Sequence, residues 1–142
     1  NYDKAVSVRE KAMRKRIIAG FKVNLGKDSD NNTALVTSAD KEDVWQKLPR
    51  VLEALKFEMS DRDRTLMTYF IEYKYKEHGF FASLFEEDVE QLPIENGNYQ
   101  VTVSELGEQT AITFKDGTGQ PLEASLMVKL YPNLSQLFGD RR

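Results

Sequence analysis

Apolar residues recur in this chain at two spacings. Over 40–55, Val44, Leu48, Val51, Leu52 and Leu55 share one side of a helix, with Trp45 on its flank. Ser38 or Asp40 is placed to cap that helix, and Glu42 and Asp43 suit its positive end. Pro49 removes a backbone donor and crowds the preceding turn, which costs up to about 3 kcal/mol in a regular helix, so a kink is expected there. After Lys56 the spacing falls to two. Phe57 and Met59 share a face, and Asp61, Arg62 and Asp63 read as a turn. Met67, Tyr69, Ile71 and Tyr73 then line one face, opposite Thr68, Phe70, Glu72 and Lys74. A third strand over 98–104 turns Tyr99, Val101 and Val103 inward. A turn over 105–108 leads to a fourth, which carries Ile112 and Phe114 and ends at the glycine-containing 116–119.

Ahead of the helix, 23–25 is a short strand candidate, 26–32 a turn-rich loop and 33–37 a strand. A second helix is expected to start near Pro121, a favoured first helical position. It carries Leu122, Leu126, Leu130, Leu134, Leu137 and Phe138, and Gly139 closes it. Pro132 interrupts it, predicting a kink or two short helices. The order is β-α-β-β-loop-β-β-α. That is an α+β fold, an antiparallel sheet with one polar face and two helices packed on the other.

Two stretches fall outside this order. Residues 2–19 favour helix, but Ala5, Val8 and Ala12 make only a thin apolar stripe. The segment 1–20 therefore reads as a helical arm or interdomain linker, and 21–142 as the domain. Residues 76–97 are irregular, and a loop of that length is often functional. It holds Phe80, Phe81, Leu84 and Phe85, followed by Glu86, Glu87 and Asp88. The spacing of Phe81 and Phe85 gives a short helical turn one apolar face. Two readings stand: a lid over an open end of the sheet, or a patch that docks on a partner or a lipid surface.

The net charge of −3 over 142 residues is unevenly spread. Residues 1–20 hold six basic and two acidic side chains, a net +4, which leaves −7 for the rest. The mild overall charge argues against a nucleic-acid binder. The absence of cysteine removes disulfides, thiolate zinc sites and thiol nucleophiles. No apolar run is long enough to be a transmembrane helix, and no signal peptide is visible. The start at Asn1, without Met, is expected of an excised fragment.

Catalytic chemistry finds little to work with. His78, the single histidine, sits at a loop edge and reads as a surface residue. Asp61 with Asp63, and Glu86 with Glu87 and Asp88, are paired carboxylates in solvated settings, whereas general acid–base work needs a dry pocket. None of Ser38, Ser60, Ser83, Ser104, Ser125 and Ser135 has a histidine partner in a recognisable arrangement, and no phosphate-cradling glycine loop occurs. Tyr73, Lys74, Tyr75 and Lys76 interleave rings with bases as a stacking platform would. Tyr73, however, falls on the core face of its strand. No metal or cofactor is expected, and the chain is not expected to be an enzyme.

Two blocks of residues carry a family resemblance. Val44-Trp45-x-x-Leu48-Pro49-x-x-Leu52-Glu53 with Phe57-x-Met59-x-Asp61-x-x-Arg64 resembles the C-terminal domain of the NlpB/BamC family of outer-membrane lipoproteins. Gly97-Asn98-Tyr99-x-Val101-x-Val103 and Thr110-x-Ile112-x-Phe114-x-Asp116-x-x-Gly119 agree with it, and the likeness covers about 33–138. The resemblance implies a helix-grip fold and a non-catalytic role in the complex that assembles β-barrel proteins. It implies other subunits of that complex as partners, reached through regions largely missing here. It also implies an outer-membrane lipid anchor absent from this fragment, with the domain periplasmic or exposed at the cell surface. Residues 1–20 would be the interdomain helix. Lys56 stands where the family tends to have glycine after the first helix, which puts a left-handed cap there in question. The loop 76–97 has no counterpart from which a role carries over. The alternative reading is a carrier of a small apolar ligand or lipid. That needs a cavity between the second helix and the sheet, and Tyr69, Ile71, Val101, Phe114, Leu126 and Leu130 filling the space would remove it.

Overall fold

The computed structural model describes residues 20–75 and 91–140. The proposed arm at 1–19 lies outside them. Six antiparallel strands form one sheet in the order β1-β2-β6-β5-β4-β3. They are β1 (Asn24–Lys27), β2 (Thr33–Thr37), β3 (Phe57–Asp63), β4 (Thr68–Tyr73), β5 (Gly97–Leu106) and β6 (Gln109–Asp116). Helix α1 (Lys41–Ala54) follows β2, and α2 (Ala124–Gly139) follows β6. The fold is the expected α+β class, and the short candidate at 23–25 adds β1 as an edge strand ahead of β2.

Alternation places the core. Tyr69, Ile71 and Tyr73 of β4, Val101 and Val103 of β5, and Ile112 and Phe114 of β6 are buried under the helices. The α1 stripe meets them with Val44, Leu48, Val51 and Leu52, and α2 with Met127, Leu130, Leu134 and Phe138. These residues belong to one contiguous cluster, as expected of a single core.

Both helices run continuously through their prolines. Pro49 has no N–H for the Trp45 carbonyl one turn back, and the Tyr69 hydroxyl donates to that oxygen instead, at 2.8 Å. Pro132 leaves the Val128 carbonyl in the same position, but Val128 is exposed and water can serve it.

Three boundaries depart from the sequence expectation. Asp61, Arg62 and Asp63 belong to β3, not to a turn. Ser60 is an extra residue between Met59 and Asp61 that shifts the register, and its hydroxyl donates to the Phe70 carbonyl. Helix α2 starts at Ala124, because Pro121 bridges to Lys115 and the Leu122 N–H donates to the Phe114 carbonyl. The turn after β5 is only Gly107-Glu108, with Gly107 at φ 59. Lys56 does keep the left-handed cap, at φ 70, with its N–H on the Glu53 carbonyl.

The two sheet edges are blunted. Edge strand β1 is four residues long. Edge strand β3 carries the bulge and exposes Glu58, Asp61 and Arg62. These features oppose strand-to-strand pairing with another chain.

Candidate functional site

The best-built feature outside the core is the base of the long loop. Tyr73 at the end of β4 pairs with Gly97 at the start of β5, so the chain between them leaves and re-enters at one place. Residues 92–96, part of the expected irregular stretch, are packed there. Leu92 and Ile94 are buried, and the Leu92 N–H donates to the Tyr73 hydroxyl at 2.9 Å. The Tyr99 hydroxyl donates to the Glu95 carbonyl at 2.6 Å. Burial, and then the Glu95 carboxylate, push the Tyr99 phenol above its usual range.

Asn96 closes the base as a strand would. Its Oδ1 accepts from the Tyr75 N–H and its Nδ2 donates to the Tyr75 carbonyl, both at 2.9 Å. Phe57 packs beneath, its ring centre 5.2 Å from that of Tyr73 and 6.2 Å from that of Tyr99. The candidate docking residues Phe80, Phe81, Leu84 and Phe85 lie between these anchors, outside the described residues, as do His78, Glu86, Glu87 and Asp88.

Several of the other candidate groups have structural partners. Asp61 Oδ1 accepts from the Arg62 N–H, and Asp63 Oδ1 from the Leu66 N–H. Lys74 pairs with Glu58 at 3.4 Å and Glu72 at 3.5 Å, and those carboxylates, Glu58 first, hold its ammonium above the usual lysine range. Tyr73 is buried, so the ring-and-base run is no platform. Among the described residues no group of three or more His, Asp or Glu is placed to hold a metal ion.

The Asp28 carboxylate organises the β1–β2 loop. It accepts from the Asp30 and Asn32 N–H groups at 2.9 Å and from the Thr113 hydroxyl of β6 at 2.7 Å. Burial raises its pKa, but these hydrogen bonds together outweigh burial and hold it below the usual carboxylate range.

Trp45 and Tyr69 stack with ring centres 4.0 Å apart. Arg64 lies 5.2 Å over the indole and pairs with Glu42. Burial pushes the Tyr69 phenol up to about 12. The stack is a packing feature, since Trp45 is only 6% exposed.

Among the described residues, open grooves mark the surface in at least two places. One, of about 440 Å³, lies where the C-terminal ends of both helices meet and is lined by Lys47, Arg50, Val51, Lys56 and Leu137, among others. Lys47 is buried there and donates to the Asp140 carbonyl at 2.6 Å, tying α1 to the end of α2. Burial, and then Arg50, push its ammonium below the usual lysine range. The second groove, of about 380 Å³, includes Ser60, Phe70 and Gln100 at the polar face of the sheet. The space a carried ligand would need is filled. Tyr69, Ile71, Val101, Phe114 and Leu130 are buried, and Leu126 packs against them. Sequence reasoning missed Lys47, Leu92 and Asn96, whose long-range polar contacts leave no periodic trace.

A family model described as the outer membrane protein assembly factor BamC-like C-terminal domain matches residues 23–138. Proteins named outer membrane protein assembly factor BamC are similar along most of this chain. The one from Ferrimonas balearica is 40% identical over 118 residues, 83% of this chain and 32% of the relative. Those from Kangiella koreensis and Pseudoalteromonas atlantica are 34% and 24% identical, covering 94% and 99% of this chain and 38% of each relative. The chain thus spans about a third of the length of these relatives.

Proposed function

The chain belongs to the BamC-like C-terminal domain family, and on that footing we propose that it is a non-catalytic protein-contact domain. It is carried by a lipoprotein subunit of the complex that assembles β-barrel proteins in the outer membrane. Its partners are other subunits of that complex, reached mainly through parts of the protein beyond this chain. The membrane is reached through a lipid anchor outside this chain, with the domain in the periplasm or at the cell surface. Residues 1–20 act as the helix joining it to the preceding domain, and 21–142 form the domain.

Within the domain, Phe80, Phe81, Leu84 and Phe85 are the contact residues. The observation that carries this is the base of their loop. Buried Leu92 and Ile94, the Tyr73 hydroxyl and the Asn96 amide hold the two points between which these residues lie in the sequence, which limits the chain entropy a partner must remove. The blunted edges favour contact through side chains over strand addition.

The test is retention of assembly-complex subunits by tagged full-length protein, with and without serine at all four positions. Because most of the hold lies elsewhere in the protein, the expected result is weaker retention of one subunit, not its loss, with an unchanged melting temperature of the domain. Unchanged retention with a lowered melting temperature identifies the four residues as a lid and overturns the docking role. A full-length protein that retains no subunit of the complex overturns the wider assignment.

A further inference from the structure

Asn96-Gly97 is the one place in the chain where asparagine precedes glycine. A glycine has no side chain to hinder its own backbone nitrogen from reaching the preceding side-chain carbonyl. Gly97 holds φ 145, and a Cβ placed on it would meet nothing within 4 Å, so the space beside it is open. Asn96 itself is exposed to water.

We propose that Asn96 is a deamidation site whose conversion unfastens the base of the loop, and that the clamp on Tyr75 holds the reaction back in the folded protein. The Gly97 nitrogen bonds to Asn96 Cγ and the Cγ–Nδ2 bond breaks. Nδ2 leaves as ammonia with the proton given up by the Gly97 nitrogen. Water then opens the cyclic imide at one of its two carbonyls, leaving aspartate or isoaspartate.

The clamp opposes the first step because it engages both ends of the amide with the backbone of Tyr75, two residues past the end of β4. Oδ1 accepts from the Tyr75 N–H and Nδ2 donates to the Tyr75 carbonyl, each at 2.9 Å. Only an amide meets both demands, since an ionised carboxylate accepts but does not donate. An aspartate at 96 therefore loses the second bond and sets a negative oxygen against the Tyr75 carbonyl. Isoaspartate also adds a methylene to the backbone one residue before β5. The change is one-way, because ammonia is lost. This holds whatever the loop contacts.

The test uses the 142-residue chain, kept folded or in concentrated urea in mildly alkaline buffer and mapped by peptide mass spectrometry. Asn24, Asn32, Asn98 and Asn133, followed by Leu, Thr, Tyr and Leu, are internal controls. In urea, Asn96 is expected to convert fastest, and in the folded chain at least about tenfold more slowly than in urea. An aspartate still accepts from the Tyr75 N–H, so the expected rise in hydrogen exchange at the Tyr75 amide, roughly tenfold in the deamidated protein and in Asn96→Asp, reports the clamp opening as the carboxylate is driven off the Tyr75 carbonyl. Equal rates of conversion folded and unfolded overturn the protective role of the clamp. Unchanged Tyr75 exchange in Asn96→Asp overturns the unfastening.

Discussion

Replacing Tyr69 with phenylalanine removes one oxygen atom, and the cost is set by a proline twenty residues earlier. The Tyr69 hydroxyl donates to the Trp45 carbonyl at 2.8 Å, in place of the N–H that Pro49 lacks. Tyr69 is 1% exposed, so water does not take over when the hydroxyl is gone. An unsatisfied buried carbonyl costs about 1–3 kcal/mol, and about 2 kcal/mol is expected here. In a Pro49→Ala background the helix supplies its own donor. The same Tyr69→Phe change then forfeits an ordinary hydrogen bond, about 1 kcal/mol or less. The coupling between the two sites is therefore about 1 kcal/mol, roughly 3–6 °C in melting temperature for a domain of this size. Urea unfolding of the four proteins of the cycle measures it, followed by circular dichroism and by the fluorescence of the chain's one tryptophan, which stacks on Tyr69. An equal cost of Tyr69→Phe in both backgrounds, with coupling below about 0.3 kcal/mol, refutes the reasoning.

Other substitutions follow from the same geometry. Lys56 holds a left-handed conformation that costs a side-chain-bearing residue about 1–2 kcal/mol, and glycine returns part of this as unfolded-state entropy. Lys56→Gly is thus expected to raise stability by about 0.5–1 kcal/mol in urea titration; a loss would show that the lysine has another role. The folded pKa of Asp28 is depressed, so its contribution is present above the unfolded carboxylate value and is lost as pH falls through the folded one. Asp28→Asn should flatten the decline in melting temperature below about pH 4, and an unchanged acid limb counts against it. Tyr69 is the opposite case: its phenol is raised to about 12, so the stability it contributes is full below about pH 10 and is lost as pH rises toward 12. Tyr69→Phe should weaken that alkaline decline, measured as unfolding free energy against pH.

Periodic burial is written along the sequence, and polar long-range contacts are not. The α1 stripe and the inward faces of β4, β5 and β6 were legible because burial selects apolar residues at fixed intervals, from Val44 to Leu55 and from Tyr69 to Phe114. The true length of β3 was not, since the bulge at Ser60 resets the alternation and an exposed edge takes the charges that ordinarily mark a turn. The role of Pro121 was misleading for a related reason. A proline suits the first turn of a helix, but it equally suits a bridge to β6 where no N–H is needed. The loop was legible only as an irregular aromatic stretch. The bonds that seat it, from Asn96 to Tyr75 and from Leu92 to Tyr73, join residues about twenty apart with no repeating spacing.

The most direct measurement of the contact role is site-specific photo-crosslinking in intact cell envelopes, using full-length protein with the probe at Phe81 or, for comparison, at Glu58 on the blunted edge of β3. The account expects a crosslink from position 81 to a subunit of the assembly complex and none from position 58. A crosslink from 58 with none from 81 would contradict it.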